Sequence, residues 1–166
     1  APLYEELILR LSSFFRYSLE SDEKLVPLGR EIQLLRDYME LQETRYGDRI
    51  TMEIQSDPEL NSIVVPKFIL QPLVENSILH GLRARGGGGQ IRVRTYRGRR
   101  GVTVMVSDNG CGFDPRRMRP ESGRYRSIGL DNIRERMELS GGHLDIFSRP
   151  GLGTAVRITV GEEGKA

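Results

Sequence analysis

Apolar side chains recur over residues 3–20 at spacings of three and four: Leu3, Leu7, Leu11, Phe14, Phe15 and Leu19 fall on one side of a helix. The polar run Glu20-Ser21-Asp22-Glu23-Lys24 ends that stripe. A lone helix has nothing to bury such a face against, so the pattern predicts a helix–helix interface, which a second chain could supply. Its polar face is not strongly basic, which argues against a helix lying on a membrane surface. After Pro27 and Gly29, a second amphipathic helix is expected from about Leu28 to Tyr46, with Ile32, Leu35, Tyr38, Met39 and Gln42 on one side and Gly47-Asp48 as its stop.

The period then changes. Ile50, Met52 and Ile54 alternate with polar residues, as in a half-buried strand. Asp57-Pro58 reads as a turn, and Ile63-Val64-Val65 as a short strand stopped by Pro66. A third helix is expected over residues 66–82, with Pro72 either kinking it or marking its true start. The four glycines from Gly86 to Gly89 read as a loose connector. Beyond them Ile91, Val93 and Thr95 alternate, the Arg97-Gly98-Arg99-Arg100 stretch turns, and Val102, Val104 and Val106 alternate: a hairpin. A polar Arg/Pro/Gly-rich stretch covers residues 114–127. A helix from about Ile128 to Ser140 ends at Gly141-Gly142, and a second hairpin turns across Pro150-Gly151-Leu152-Gly153. Two helices followed by strands mixed with helices predict an α/β sandwich, with a mixed sheet covered on one face by helices and a helical extension at the N-terminus.

Charge sharpens the division. Of 166 residues, 1–80 carry 8 basic and 14 acidic side chains, whereas 81–166 carry 17 basic and 9 acidic. Of the 19 glycines, 17 lie after His80. A helix-friendly acidic part thus precedes a Gly- and Arg-rich part, unlike a uniform disordered or fibrous chain. No apolar run approaches the roughly 18–20 residues that a membrane span needs, and Glu5, Glu6 and Arg10 break any signal-peptide pattern. The single cysteine, Cys111, excludes an internal disulfide and a multi-cysteine zinc site. Cys111, His143 and the Arg97–Arg100 turn read most simply as structural or solvated positions. The Arg-rich region has only Tyr96 and Tyr125 nearby, too few for the interleaved basic and aromatic face of a nucleic-acid binder.

Three clusters could carry chemistry. In Gln71-Pro72-Leu73-Val74-Glu75-Asn76-Ser77-Ile78-Leu79-His80-Gly81, Asn76 and His80 share a helix face, with Glu75 rotated by about 100°. A nearby amide oxygen and carboxylate suit a hydrated Mg²⁺, which takes few protein ligands; a buried helix whose Asn and His cap neighbouring backbone would look the same. Asp108-Asn109-Gly110-Cys111-Gly112-Phe113 follows a strand. There a carboxylate could accept from an exocyclic amino group such as adenine's, and the glycines let backbone lie against a flat ligand; an ordinary turn also has this sequence. Finally, Ser127-Ile128-Gly129-Leu130-Asp131-Asn132 opens a helix whose free amides suit phosphate oxygens, and Gly151-Leu152-Gly153-Thr154 opens the last strand.

In this order the clusters resemble the GHKL superfamily of ATP-binding domains, the Bergerat fold. Asn76 sits in the N-box helix, 108–113 in the first glycine box, Gly129 in the second, and 151–154 in the last. The closer resemblance is to LytS-type sensor histidine kinases. It rests on Leu70-Gln71-Pro72-Leu73-Val74-Glu75-Asn76 with His80-Gly81, and on Arg16-Tyr17-Ser18-Leu19. Glu31 and Tyr38 ahead of Arg45-Tyr46-Gly47-Asp48, and Gly129-Leu130 followed by Asn132, Glu135 and Arg136, complete it. The resemblance covers nearly the whole chain. Ser127 stands where the second box usually has its first glycine.

The resemblance implies the following roles. Asn76 would ligate a Mg²⁺ bridging the ATP phosphates, and Glu75 would support it as general base or water-positioning group. His80 would lie near phosphates or ribose. Asp108 would bind the adenine amino group, with Gly110, Gly112 and Phe113 at the base pocket. Residues 114–127 would form a lid. Ser127, Gly129 and Leu130 would adjoin the phosphates, and Gly153 and Thr154 the Asp108 network. The implied activity is transfer of the ATP γ-phosphoryl to a histidine on a phosphoacceptor helix of the same or a partner subunit, then to a response regulator receiver domain, within a homodimer.

The family's phosphoacceptor motif, of the Asn-Pro-His-Phe type, is not found in this sequence. A fragment is therefore expected: 1–25 as the last helix of the dimerisation region and linker, 26–163 as the catalytic domain, and 164–166 as a tail. It would be cytoplasmic, with membrane and sensory parts upstream. The competing readings are a clamp-closing ATPase of the gyrase B or MutL kind, an anti-sigma-factor-type serine kinase and a nucleotide-sensing module without phosphotransfer. Pro72 stands where the clamp ATPases carry their catalytic Glu, and the stripe over 3–20 argues against the serine kinases.

Overall fold

The computed structural model describes residues 4, 5, 8, 12, 15, 24–82, 86, 88–117 and 126–162. Tyr4, Glu5, Ile8, Ser12 and Phe15 have helical backbone with exposed side chains; the rest of the expected N-terminal stripe lies outside the described residues.

Strand β1 (Leu25–Pro27) leads directly into helix α1 (Leu28–Tyr46). Helix α1 buries Ile32, Leu35, Tyr38, Met39 and Gln42 as their spacing requires, and Glu31 with them. It stops where Gly47 turns to φ 56° and ψ −136°, donating its amide to the Glu43 carbonyl. Strand β2 (Ile50–Gln55) and strand β3 (Val64–Pro66) follow, then helix α2 (Leu70–Asn76), prolonged by a π-helical turn over Ser77–Leu82. Strands β4 (Gly89–Gly98) and β5 (Gly101–Asp108) form the first hairpin. Helix α3 (Arg126–Leu139) precedes the second hairpin, β6 (His143–Arg149) and β7 (Gly153–Val160).

Five strands form one sheet in the order β2-β4-β5-β7-β6. Only β2 and β4 are parallel; the crossover between them carries α2. Register puts Val102, Val104, Val106 and Asp108 of β5 on the same face as Val160, Ile158, Val156 and Thr154 of β7. That face meets the apolar sides of the helices, with Leu35, Leu70, Leu73, Ile133 and Met137 in one continuous core. The opposite face carries Glu53, Arg92, Arg94 and Arg157. Helix α3 ends in a Schellman motif, Gly142 N–H donating to the Met137 carbonyl (2.8 Å) and Gly141 N–H to that of Glu138 (3.0 Å).

Three local readings change. Helix α2 starts at Leu70, not at residue 66, because Phe68 takes φ 58°, outside any right-handed helix. Pro72 then falls in the first turn, where its missing N–H costs nothing, so it neither kinks nor starts the helix. Pro66 instead ends β3, which pairs with β1 in a two-stranded antiparallel ribbon. Gly89, expected in a loose connector, opens β4.

No side chain lies within 4 Å of where a Cβ on Gly47 would stand. Gly47→Ala is therefore expected to cost about 1–3 kcal/mol by backbone strain alone, without a cavity or clash. Urea denaturation should show a lower midpoint with an unchanged m-value.

Candidate functional site

Asp108 is the last residue of β5, on the sheet face that looks toward the helices. Its Oδ1 accepts from the Gly110 amide at 2.9 Å. The Ser77 hydroxyl and the Thr154 backbone also hydrogen-bond this carboxyl. Burial pushes its pKa above the ordinary value of 3.8, and the hydrogen bonds from Gly110, Ser77 and Thr154 oppose that rise.

The carboxyl faces a cavity lined by Leu73, Asn76, Ser77, His80, Gly81, Asp108, Gly112, Phe113, Leu130, Thr154 and Val156. Apolar side chains from α2, α3 and β7 provide most of the wall, and Asn76, His80 and Asp108 provide polar groups. Such a cavity suits a flat, partly apolar ligand with an edge that donates a hydrogen bond.

Helix α2 reaches the site because its C-terminal π turn runs against β5. Cys111 N–H donates to the Gly81 carbonyl (3.1 Å), and the Cys111 thiol to the His80 carbonyl (3.2 Å). A Cβ on Gly81 would stand 2.8 Å from Asp108 Oδ1, and one on Gly110 would overlap the Gly81 backbone. These two glycines are needed for close approach of the helix to the strand end. On the other side, Ser148 Oγ accepts from Phe113 N–H (2.9 Å), donates to the Gly153 carbonyl (3.0 Å) and lies 2.8 Å from Thr154 Oγ1.

Of the residues expected from sequence, Asn76, His80, Asp108, Gly112, Phe113, Leu130 and Thr154 line one cavity. Asn76 and His80 do share a face. Glu75 is outside this lining; its Oε1 accepts from Gln71 Nε2 at 3.2 Å. Gly110 is buried beneath the cavity rather than lining it, and Gly153 borders an adjacent depression. Ser127 and Gly129 lie in the first turn of α3. Residues 118–125 of the expected lid lie outside the described residues.

Ser77, Gly81 and Ser148 also belong to the site, though no sequence expectation gives them a role. Gly81 closes the N-box motif, and its position five residues after Asn76 was the available signal; Ser77 and Ser148 carried none. Among the described residues no group of three or more His, Cys, Asp or Glu side chains could hold a metal, so a cation here would depend on few protein ligands. No helix among them is long and apolar enough to cross a membrane.

A raised pKa means that folding favours the protonated Asp108. Stability from this group is therefore fully present below about pH 3.8 and is lost as pH rises through the higher folded value. Asp108→Asn cannot ionise. Relative to the wild-type chain, it should become progressively more stable as pH rises from about 4 toward neutrality. Thermal melts of both chains across that range check the sign; a widening advantage for the wild type would contradict it.

Comparison with known proteins agrees with this arrangement. The family model described as histidine kinase-, DNA gyrase B- and HSP90-like ATPase matches residues 61–164. A histidine kinase model matches residues 2–50. The chain is 32% identical over 138 residues to sensor histidine kinase YpdA of Escherichia coli (strain K12), covering 81% of this chain and 24% of that protein. It is 33% identical over 140 residues to sensor protein LytS of Oceanobacillus iheyensis, covering 79% of this chain and 24% of that protein. The chain thus spans about a quarter of the length of the curated relatives it matches. The fold is similar to the histidine kinase domain from the Erythrobacter litoralis EL346 blue-light activated histidine kinase, with a TM-score of 0.61 at 20% identity, covering 93% of this chain and 78% of that one. By sequence and by fold, the chain belongs to the histidine kinase-, DNA gyrase B- and HSP90-like ATPases, as a LytS-type histidine kinase catalytic region.

Proposed function

We propose that the cavity binds ATP with Mg²⁺, and that the chain supplies the γ-phosphoryl for transfer to a histidine on a phosphoacceptor helix. The observation that carries this reading is the placement of Asp108: a half-buried, hydrogen-bonded carboxyl at the head of an apolar-walled cavity, with Asn76 in the same wall. The carboxylate accepts a hydrogen bond from the exocyclic amino group of adenine, while Leu73, Leu130 and Val156 bury the ring faces. Guanine presents an acceptor oxygen at that edge, so ATP is preferred over GTP.

The donor set fits Mg²⁺, which needs one or two protein oxygens and keeps waters and phosphate oxygens as its other ligands. Asn76 would hold it, and when bound it neutralises charge on the phosphates. Glu75, held by Gln71, orients water or the incoming nucleophile. Residues 114–127 close over the phosphates, and the amides at the start of α3, around Ser127 and Gly129, face them. Positioning and charge neutralisation supply most of the catalysis. Residues 1–25 serve as the last helix of a dimerisation region, which the match of the histidine kinase model to residues 2–50 supports. The full protein acts in this reading as a homodimer on the cytoplasmic side of a membrane and passes the phosphoryl to a response regulator.

Asp108→Asn should weaken ATP binding by more than about 1 kcal/mol in calorimetry, because a charge-assisted hydrogen bond is lost. It should also narrow the preference over GTP, since an amide can turn its NH₂ toward the guanine oxygen. For the transfer step, the chain is mixed with Mg-ATP and a peptide carrying the phosphoacceptor helix. Acid-labile phosphate on the peptide is expected. Binding without transfer to a properly paired helix would favour a nucleotide-sensing module instead.

A further inference from the structure

Two residues of the sequence pattern, Glu31 in α1 and Arg136 in α3, have no place in the cavity, yet both grip the same four-residue stretch. Glu31 is 1% exposed. Its Oε1 accepts from Ile69 N–H at 2.6 Å and from Leu70 N–H at 3.3 Å. Arg136 Nη1 donates to the Phe68 carbonyl at 3.3 Å, and Nη2 to the Lys67 carbonyl. The Lys67 amide in turn donates to the Lys24 carbonyl at 2.9 Å, just before β1. Between these grips Phe68 holds φ 58°, a conformation a bulky side chain adopts only when its surroundings impose it.

This stretch is the entrance to α2. A helix start is ordinarily satisfied by its own N-cap side chain, but Ile69, the N-cap of α2, contributes no side-chain bond. The cap comes from a residue 38 positions upstream on another helix. The start of α2 is therefore held by side chains of α1 and α3 rather than by its own N-cap residue. An apolar side chain would fill the Glu31 site without the desolvation cost of a carboxyl, so the group is there for the amides it holds. The other end of α2 is fixed separately, by the Ser77 hydroxyl on Asp108 and by the Cys111 bonds to Gly81 and His80. Asn76 and Glu75 lie between the two anchorages.

We propose that Glu31 and Arg136 are positioning residues that together set where α2 presents Asn76, acting on the metal and phosphate end of the site and not on the adenine end. The inference rests on the reading of the cavity as a Mg-ATP site. Releasing the entrance of α2 lets its first turns shift, while the π turn stays pinned to β5. Recognition of the base at Asp108 then persists, and binding that depends on Asn76 is lost.

The test measures Kd for Mg-ATP and for adenosine on the whole chain, with a thermal melt for each variant. Arg136 is exposed, so Arg136→Ala removes no core contact and stands as the main arm. It should weaken Mg-ATP by roughly fivefold or more while adenosine changes by less than about twofold. Arg136→Lys, which keeps a cation but not the two-pronged donor, should recover part of the loss. Glu31→Gln keeps one acceptor oxygen and should show a smaller loss of the same kind. The pair Glu31→Gln/Arg136→Ala should be non-additive for Mg-ATP. Parallel loss of both ligands in step with the melting temperature would reveal a merely structural role and overturn the proposal. So would Mg-ATP affinity unchanged in Arg136→Ala. If the wild-type chain binds neither ligand, the reading of the cavity itself fails, and this inference with it.

Discussion

Three backbones converge on the end of β5 with no room for a side chain between them. The π turn of α2 crosses at Gly81, the loop after β5 folds under it at Gly110, and the β6–β7 hairpin closes from the other side at Gly153. The outcome is a carboxyl that is half-buried, hydrogen-bonded and still open toward a cavity. Everything else in the site is arranged around that crossing. The sheet sets where β5 ends, the hairpin supplies Thr154 and Ser148, and the crossing helix carries Asn76 and His80 to the wall facing them.

The two sides of the site differ mechanically. Asp108 and Thr154 sit on adjacent strands of a five-stranded sheet with paired backbone on both sides. Their separation is set by ladder geometry. Helix α2 is a short element, two turns plus a π turn, suspended between its contact with β5 and the grip of Glu31 and Arg136 on its entrance. A sheet edge carrying Asp108 and Thr154 thus faces a helix whose entrance is held by side chains of two neighbouring helices. α1 follows directly on β1, which pairs with β3 just ahead of α2, and α3 leads into the second hairpin.

Much of the architecture was legible in the chain. Both limits of α1 match because an apolar stripe with a glycine stop is complete within the segment itself. Both hairpins match because alternation and the turn residues are adjacent in sequence. The N-box and glycine boxes named most of the cavity wall through their order, which resembles a known superfamily; no single cluster was decisive alone. The short strand before Pro66 was legible, but its partner β1 and their pairing as a ribbon were not, since a three-residue strand has too few positions to alternate and β1 forms only because β3, some forty residues away, lies alongside. Nor was the start of α2, where Phe68 is held at positive φ by contacts from elsewhere.

The sequence by itself determined the element types, the division into an acidic helical part and a Gly- and Arg-rich part, and the residue types available for nucleotide chemistry. Periodicity, caps and turns depend on neighbours a few residues apart, and a linear chain displays them directly. Only the tertiary structure decided that Ser77 and Gly81 belong to Asp108, that Gly110 packs under the cavity instead of lining it, and that Glu31 and Arg136 meet at one loop. Those relations join residues 27 to 69 positions apart. They exist because the core permits one path for the chain, and they carry no period that a sequence can show.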